Sequence, residues 1–311
     1  MSLRLGIPDL VSNSYFPAIA AAELGFFEQE GLDAHVELLF PVTATMAALR
    51  DGQLDFVAGA AHATLTAFPS WEGAKLLAAL AQHMYWFLVV REDLGIARGQ
   101  VDKVRGLRIG AAPGVDLGLR QLMRDAGIDP EREVQIGPVP GTGAGPSVSF
   151  GVTAAQALDA GLLDGFWANG MGAEVAVSRG VGTVVLDVRR GDGPPQARGY
   201  TFPALVTTDG RLQREPETVA AAVRALAKTQ HALRADPGRA TAAARKRFPP
   251  MEAELTAELI RRDAPYYDPT IAPATVESLN AFAIQVGLLS GPVPYEQVVA
   301  TACAPLWRVA R

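Results

Sequence analysis

Trp167 and Asn169 stand two residues apart in the run Trp167-Ala168-Asn169-Gly170. Together they offer a flat indole for stacking and a carboxamide whose donor and acceptor can fix a ligand's orientation. Four other short runs carry comparable groups. In Pro8-Asp9-Leu10-Val11-Ser12-Asn13-Ser14-Tyr15-Phe16, Asp9 is the acid, and Ser12 or Asn13 either caps the next helix or meets a ligand. Tyr15 and Phe16 either pack inward or cover an apolar ligand face. In Pro41-Val42-Thr43, Thr43 can cap a helix or donate its hydroxyl. In Gly59-Ala60-Ala61-His62-Ala63-Thr64, the small residues around Ala61 allow close backbone approach, and His62 projects at a helix start. In Ala111-Ala112-Pro113-Gly114-Val115-Asp116, Gly114 and Val115 can bring backbone N–H groups to a ligand, while capping accounts for Asp116. Trp86 can reach the same place or pack in a core.

These groups suit binding better than catalysis. There is no Gly-x-Ser-x-Gly elbow and no His-Glu-x-x-His helix. The single cysteine, Cys303, excludes an internal disulfide and a Cys-rich metal site. The run Gly141-Thr142-Gly143-Ala144-Gly145-Pro146-Ser147 is no nucleotide fingerprint, because Pro146 replaces the third glycine and no lysine follows; it reads as a flexible rim or a lid. No metal and no cofactor is expected. Arginine and lysine are missing from all five candidate runs, so a strongly charged anion would depend on helix N-termini and neutral donors. The expected ligand is an organic molecule with an apolar or aromatic body, carrying one carboxylate at most, although Arg198 could reach in from outside the runs.

Alternating strands and helices must position these runs. Strand patterns fall at residues 3–7, 34–39, 56–58, 75–81 and 86–90, with helical patterns at 14–24, 44–50 and 63–68. After a charged, turn-rich stretch the pattern restarts, with strands at 107–111, 134–136, 165–168 and 183–188 and helices at 117–126, 153–160 and 173–179. A last strand, 204–208, leads into a helical tail broken at Phe248-Pro249-Pro250 and Asp268-Pro269. Such alternation predicts α/β structure with mostly parallel sheets, in which ligands sit beyond the carboxyl ends of strands. Each run follows a strand. Two blocks with a returning chain imply lobes joined by two crossovers, near Val90–Asp93 and Pro203–Thr207.

The whole chain of 311 residues, 49% apolar and 20% charged, suffices for two cores. Its net charge of −5 offers no broad basic surface, which argues against nucleic acid. Its apolar stretches are too short to span a bilayer.

Residues 21–58, AAELGFFEQEGLDAHVELLFPVTATMAALRDGQLDFVA, combine a helix ending at Gly25-Phe26-Phe27, a turn at Gly31-Leu32-Asp33, a strand, and a second helix ending at Asp51-Gly52-Gln53-Leu54-Asp55. This resembles the opening of the periplasmic solute-binding proteins of the nitrate/sulfonate/taurine class of ABC transporters, a group related in pattern to the pyrimidine-precursor synthases of thiamine biosynthesis. A looser match of element order extends to about residue 190, through the restart at Gly106-Leu107-Arg108-Ile109-Gly110. The resemblance implies a two-lobed type II periplasmic-binding architecture with the ligand cleft between the lobes. Residues 1–92 with 205–311 would form lobe 1, and 93–204 lobe 2. It implies a non-catalytic, monomeric substrate-binding component that closes on a small aromatic, carboxylate or sulfonate solute and serves a membrane permease. A periplasmic location follows if an export signal has been removed ahead of Met1-Ser2-Leu3. The synthases carry a cysteine-rich iron-binding run and a lysine that holds pyridoxal phosphate; this chain has one cysteine, and none of Lys75, Lys103, Lys228 and Lys246 suits that role. The alternative is a cytosolic enzyme on the same scaffold, acting on a small cyclic metabolite through His62 or Asn169.

Overall fold

The computed structural model describes residues 2–142 and 149–308. Its strands form two five-stranded sheets. The first contains β1 (Ser2–Ile7), β2 (Asp33–Leu38), β3 (Phe56–Ala60), β4 (Ala74–Ala79) and β10 (Pro203–Thr208), in the order β2-β1-β3-β10-β4. The second contains β5 (Phe87–Arg91), β6 (Arg108–Ala111), β7 (Gln135–Gly137), β8 (Gly165–Ala168) and β9 (Gly182–Asp187), in the order β7-β6-β8-β5-β9. Each sheet is parallel except for one inserted strand. β10 runs antiparallel between β3 and β4, and β5 runs antiparallel between β8 and β9. The two inserted strands are the ones the chain lays down on crossing from one sheet to the other.

This pairing moves the expected boundary. The strand pattern at 86–90 falls before residue 92, yet β5 bonds to β8 and β9 in the second sheet. The first crossing is therefore the segment between β4 and β5, upstream of Val90–Asp93. Local pattern does not reveal it, because a fully buried strand such as β5 reads the same in either sheet. The helical tail also reaches further than expected. Helix Pro216–Ala235 packs on Phe16–Glu23 beside the first sheet, and Gln230 Nε2 donates to the carbonyls of Ala79 and Leu80, 2.8 Å each. Helix Pro250–Asp263 touches helix Gly170–Ser178 beside the second sheet.

Several helix starts shift for identifiable reasons. Ser149 caps helix Phe150–Asp159 by accepting from the Val152 N–H, so the helix begins three residues before the expected 153. Asn169 accepts from the Met171 and Gly172 N–H groups and starts the next helix at Gly170, ahead of the expected 173. The helix expected at 63–68 is a 3-10 segment, Ala61–Thr66, cut short before Pro69.

Helices Phe150–Asp159 and Gly170–Ser178 cross with backbone almost in contact. A Cβ at Gly172 would stand 2.7 Å from the Gly151 carbonyl oxygen, and one at Gly151 would stand 3.0 Å from the Gly172 nitrogen. Backbone cannot yield as a flexible side chain can. Gly172→Ala is expected to cost about 1–3 kcal/mol, as overpacked sites do. Urea unfolding reads that cost directly; an unchanged midpoint would show that the two helices part freely.

Candidate functional site

The loops beyond the carboxyl ends of β1, β2, β6 and β8 converge on one cavity, with about 410 Å³ of empty space counted out to its mouth. From the first sheet come Pro8, Asp9, Ser12 and Tyr15 after β1, with Phe40 and Val42 after β2. From the second come Ala112 and Val115 after β6, Phe150, and the β8 end Trp167, Ala168 and Asn169. Tyr85 and Trp86, on the first crossing, complete the wall. Only about 40 Å³ of it is open to the centre of a water-sized sphere, far below the roughly 300–1,000 Å³ of small-molecule sites, so an organic ligand needs the walls to part. Aromatic rings dominate it. Phe40 and Phe150 stack across the two sides with centroids 5.9 Å apart, and Trp86 contacts both Tyr85 (4.8 Å) and Trp167 (6.0 Å).

Asp9 is the polar centre. Its Oδ1 accepts from the Val11 N–H (3.0 Å), and its Oδ2 accepts from Asn169 Nδ2 (2.7 Å) and Ser149 Oγ (3.4 Å). The Phe150 N–H also bonds to this carboxyl. Three of these four donors belong to the opposite side of the cavity. Complete burial pushes the Asp9 carboxyl up to about 6, and the four hydrogen bonds offset only part of that penalty. Nearby, Tyr15 Oη and Tyr85 Oη share a hydrogen bond of 2.5 Å, and burial raises both phenols. Ser12 Oγ and Trp167 Nε1, both buried, have no hydrogen-bond partner among the described residues.

The structure thus gathers Asp9, Ser12, Tyr15, Trp86, Val115, Trp167 and Asn169 from the expected set. It places the others outside the lining. His62 is fully buried behind the wall: its Nε2 donates to the Gly114 carbonyl (2.8 Å), and its Nδ1 accepts from Thr201 Oγ1 (3.0 Å). Burial holds His62 down to about 4, so the ring is neutral, with both nitrogens engaged. Gly114, at φ +83°, supplies that carbonyl in place of ligand-facing N–H groups, and a Cβ there would stand 3.0 Å from the Thr43 methyl. Thr43 caps nothing, because helix Val42–Arg50 begins one residue earlier behind Pro41. Asp116 likewise lies inside its helix; its Oδ1 accepts from the Gly114 N–H (3.0 Å) and its Oδ2 from Arg120. Neither Ser12 nor Asn13 caps helix Phe16–Glu23. Asn13 instead donates to Asp263, which also takes the buried Arg189 guanidinium at 2.7 Å. Pro41 and Ala61 do not line the cavity.

Seven lining residues were not singled out in the sequence: Pro8, Phe40, Val42, Tyr85, Ala112, Phe150 and Ala168. Four of them lie in candidate runs, and Phe40 and Tyr85 adjoin residues that were chosen. Phe150 was hidden by the late helix start. Of the glycine-rich run, 143–147 lies outside the described residues, where the question of a lid rests. Among the described residues no His/Cys/Asp/Glu cluster could hold a metal ion, and no helix is long and apolar enough to cross a membrane.

The NMT1/THI5-like family profile matches residues 12–240. No curated protein is matched by the sequence. Among solved structures, the fold is shared with the alkanesulfonate-binding protein SsuA from Xanthomonas axonopodis pv. citri bound to MOPS (TM-score 0.71, 13% identity, covering 97% of each chain). It is shared with the periplasmic nitrate-binding protein NrtA from Synechocystis PCC 6803 (TM-score 0.68, 14% identity, 99% of this chain and 87% of that one). It is shared equally with the desulfurization enzyme DSZB (TM-score 0.67, 17% identity, 98% of each chain). The expected two-lobed α/β architecture is thus found; at these identities the likeness establishes the fold alone.

The Asp9 carboxyl makes a pH prediction. With its pKa raised from 3.8 to about 6, the native chain keeps a proton between those values that the unfolded chain has released. The contribution of this group to stability is therefore greatest below pH 3.8 and falls as pH rises to 6, by about 3 kcal/mol in all. His62 and His83, each held down to about 4 by burial, act in the opposite sense from their ordinary 6.5 downward. The informative quantity is the stability difference between the parent chain and Asp9→Asn, measured by urea unfolding from pH 4 to 7.5. It should shift by about 1–3 kcal/mol against the parent as pH rises; a flat difference removes Asp9 as the titrating group.

Proposed function

The chain belongs to the NMT1/THI5-like family, and from that premise we propose that it is the substrate-binding component of an ABC-type importer. It captures a small organic solute between two lobes and presents the closed form to a membrane permease. The observation that carries this reading is the cavity itself, enclosed by loops from the carboxyl ends of both sheets and walled by aromatic rings from each. In this reading the lobes are the two sheets with their covering helices, and closure is hinge motion through the two crossings. The contacts between Asp9 and the Ser149–Asn169 side belong to the closed form. The periplasm is its compartment, and it acts as a monomer.

The shared fold of DSZB supports a second reading, an enzyme on the same scaffold. His62 is unsuited to that role, being neutral, buried and bonded at both nitrogens. Asn169 is committed to its helix cap and to Asp9. A binder needs neither.

Thermal-shift screening against aromatic carboxylates, sulfonates, amides and heteroaromatic bases tests the reading. A ligand at 100 times its dissociation constant should add about 2.7 kcal/mol of stability. It should be recovered unaltered by mass spectrometry, and it should compact the protein in small-angle scattering. Recovery of a converted compound turns the reading to the enzyme. Trp167→Ala should weaken that ligand at least tenfold; equal affinity would take the indole out of the site.

A further inference from the structure

We propose that the ligand of this cavity is an uncharged, planar aromatic or heteroaromatic molecule whose polar edge presents hydrogen-bond acceptors. This rests on the substrate-binding reading above and names its ligand class. It also departs from the solutes that give SsuA and NrtA their printed names, which are anions.

Charge is excluded in both senses. Among the described residues no arginine, lysine or histidine lines the cavity. Arg189, buried with its guanidinium 5.7 Å from the Tyr85 ring centroid, gives Nη1 to Asp263 (2.7 Å) and Nη2 to Ser14 Oγ (3.2 Å); its Nε–H has no partner among the described residues, and the residue is not part of the lining. An anion entering would lose water without gaining a counter-charge, and it would sit beside the Asp9 carboxyl. A cation finds no free partner among the described residues either. The two oxygens of Asp9 already accept from Val11, Phe150, Ser149 and Asn169, which matches the capacity of a carboxylate.

Each remaining polar group has a proton to donate. Trp167 Nε1 can only donate and has no partner among the described residues; Ser12 Oγ is buried without one there too. Tyr15 and Tyr85 bring two phenolic protons to a single shared bond, leaving one O–H to give. Carbonyl, carboxamide or ring-nitrogen acceptors on a flat ring would satisfy these donors between the aromatic walls.

Matched pairs isolate charge from shape: benzamide against benzoate, nicotinamide against nicotinate, and benzenesulfonamide against benzenesulfonate, titrated calorimetrically at pH 7.5. The uncharged member should bind at least tenfold tighter in every pair that binds. Equal or tighter binding by the anion overturns the inference, and so does silence from all three pairs. If the anion binds and scattering shows compaction, the substrate-binding reading stands while this inference falls; if the uncharged member binds but is converted, the reverse holds. Ser12→Ala removes an orphaned donor with little change of volume, and Trp167→Phe removes the other while leaving a cavity in the wall. Ser12→Ala should hold or raise the melting temperature of the free protein, Trp167→Phe should lower it through the cavity it leaves, and both should weaken the uncharged member about fivefold to tenfold. Unaltered affinity in both variants would also overturn it.

Discussion

The structure turns on one buried carboxylate. The two sheets share no strand-to-strand ladder, so they are joined at the cavity by side chains and loop backbone, and Asp9 holds the centre of that junction. A carboxylate removed from water is destabilised unless donors surround it. Here most of those donors come from the far side, from the helix cap Ser149, the Phe150 N–H and the helix cap Asn169. The residues that start two helices of the second sheet are thus the ones that satisfy the acid of the first.

Two further contacts reinforce this junction without entering the cavity. The His62 ring reaches from the end of β3 to the carbonyl of Gly114 beyond β6. The Arg189–Asp263 pair, with Asn13 and Ser14, ties the end of β9 to the tail and to the loop after β1. The second pair is buried on both sides, where breaking one partner costs far more than the pair itself contributes. Charge is therefore concentrated around the site and paired there, with the Arg189 Nε–H left over, and the lining is left to rings, small residues and unclaimed donors.

The parts of this arrangement that depend on local pattern were legible. Strand-helix alternation gives two α/β blocks, and the rule that ligands lie past strand ends points to the loops holding Asp9, Tyr15, Trp167 and Asn169. What was not legible depends on long-range partners. His62 looks available until Thr201, 139 residues away, and Gly114 are brought to its nitrogens. Thr43 and Asp116 look like caps because one residue of register separates a cap from the first helical turn. The exchange of β5 and β10 between sheets leaves no trace in hydrophobic spacing, since burial on both faces erases the alternation that would assign a strand to a partner.

That exchange also sets an order of events. The first sheet cannot be closed by residues 2–79 alone, because the strand that sits between β3 and β4 is β10, which the ribosome delivers only after all of the second sheet. The second sheet, by contrast, is a continuous stretch from Phe87 to Asp187. Although domains usually mature from the amino end during synthesis, the sequence here makes the later lobe the first that can finish. The early strands wait with a gap between β3 and β4, and it is the completed second lobe that carries the missing strand back to fill it.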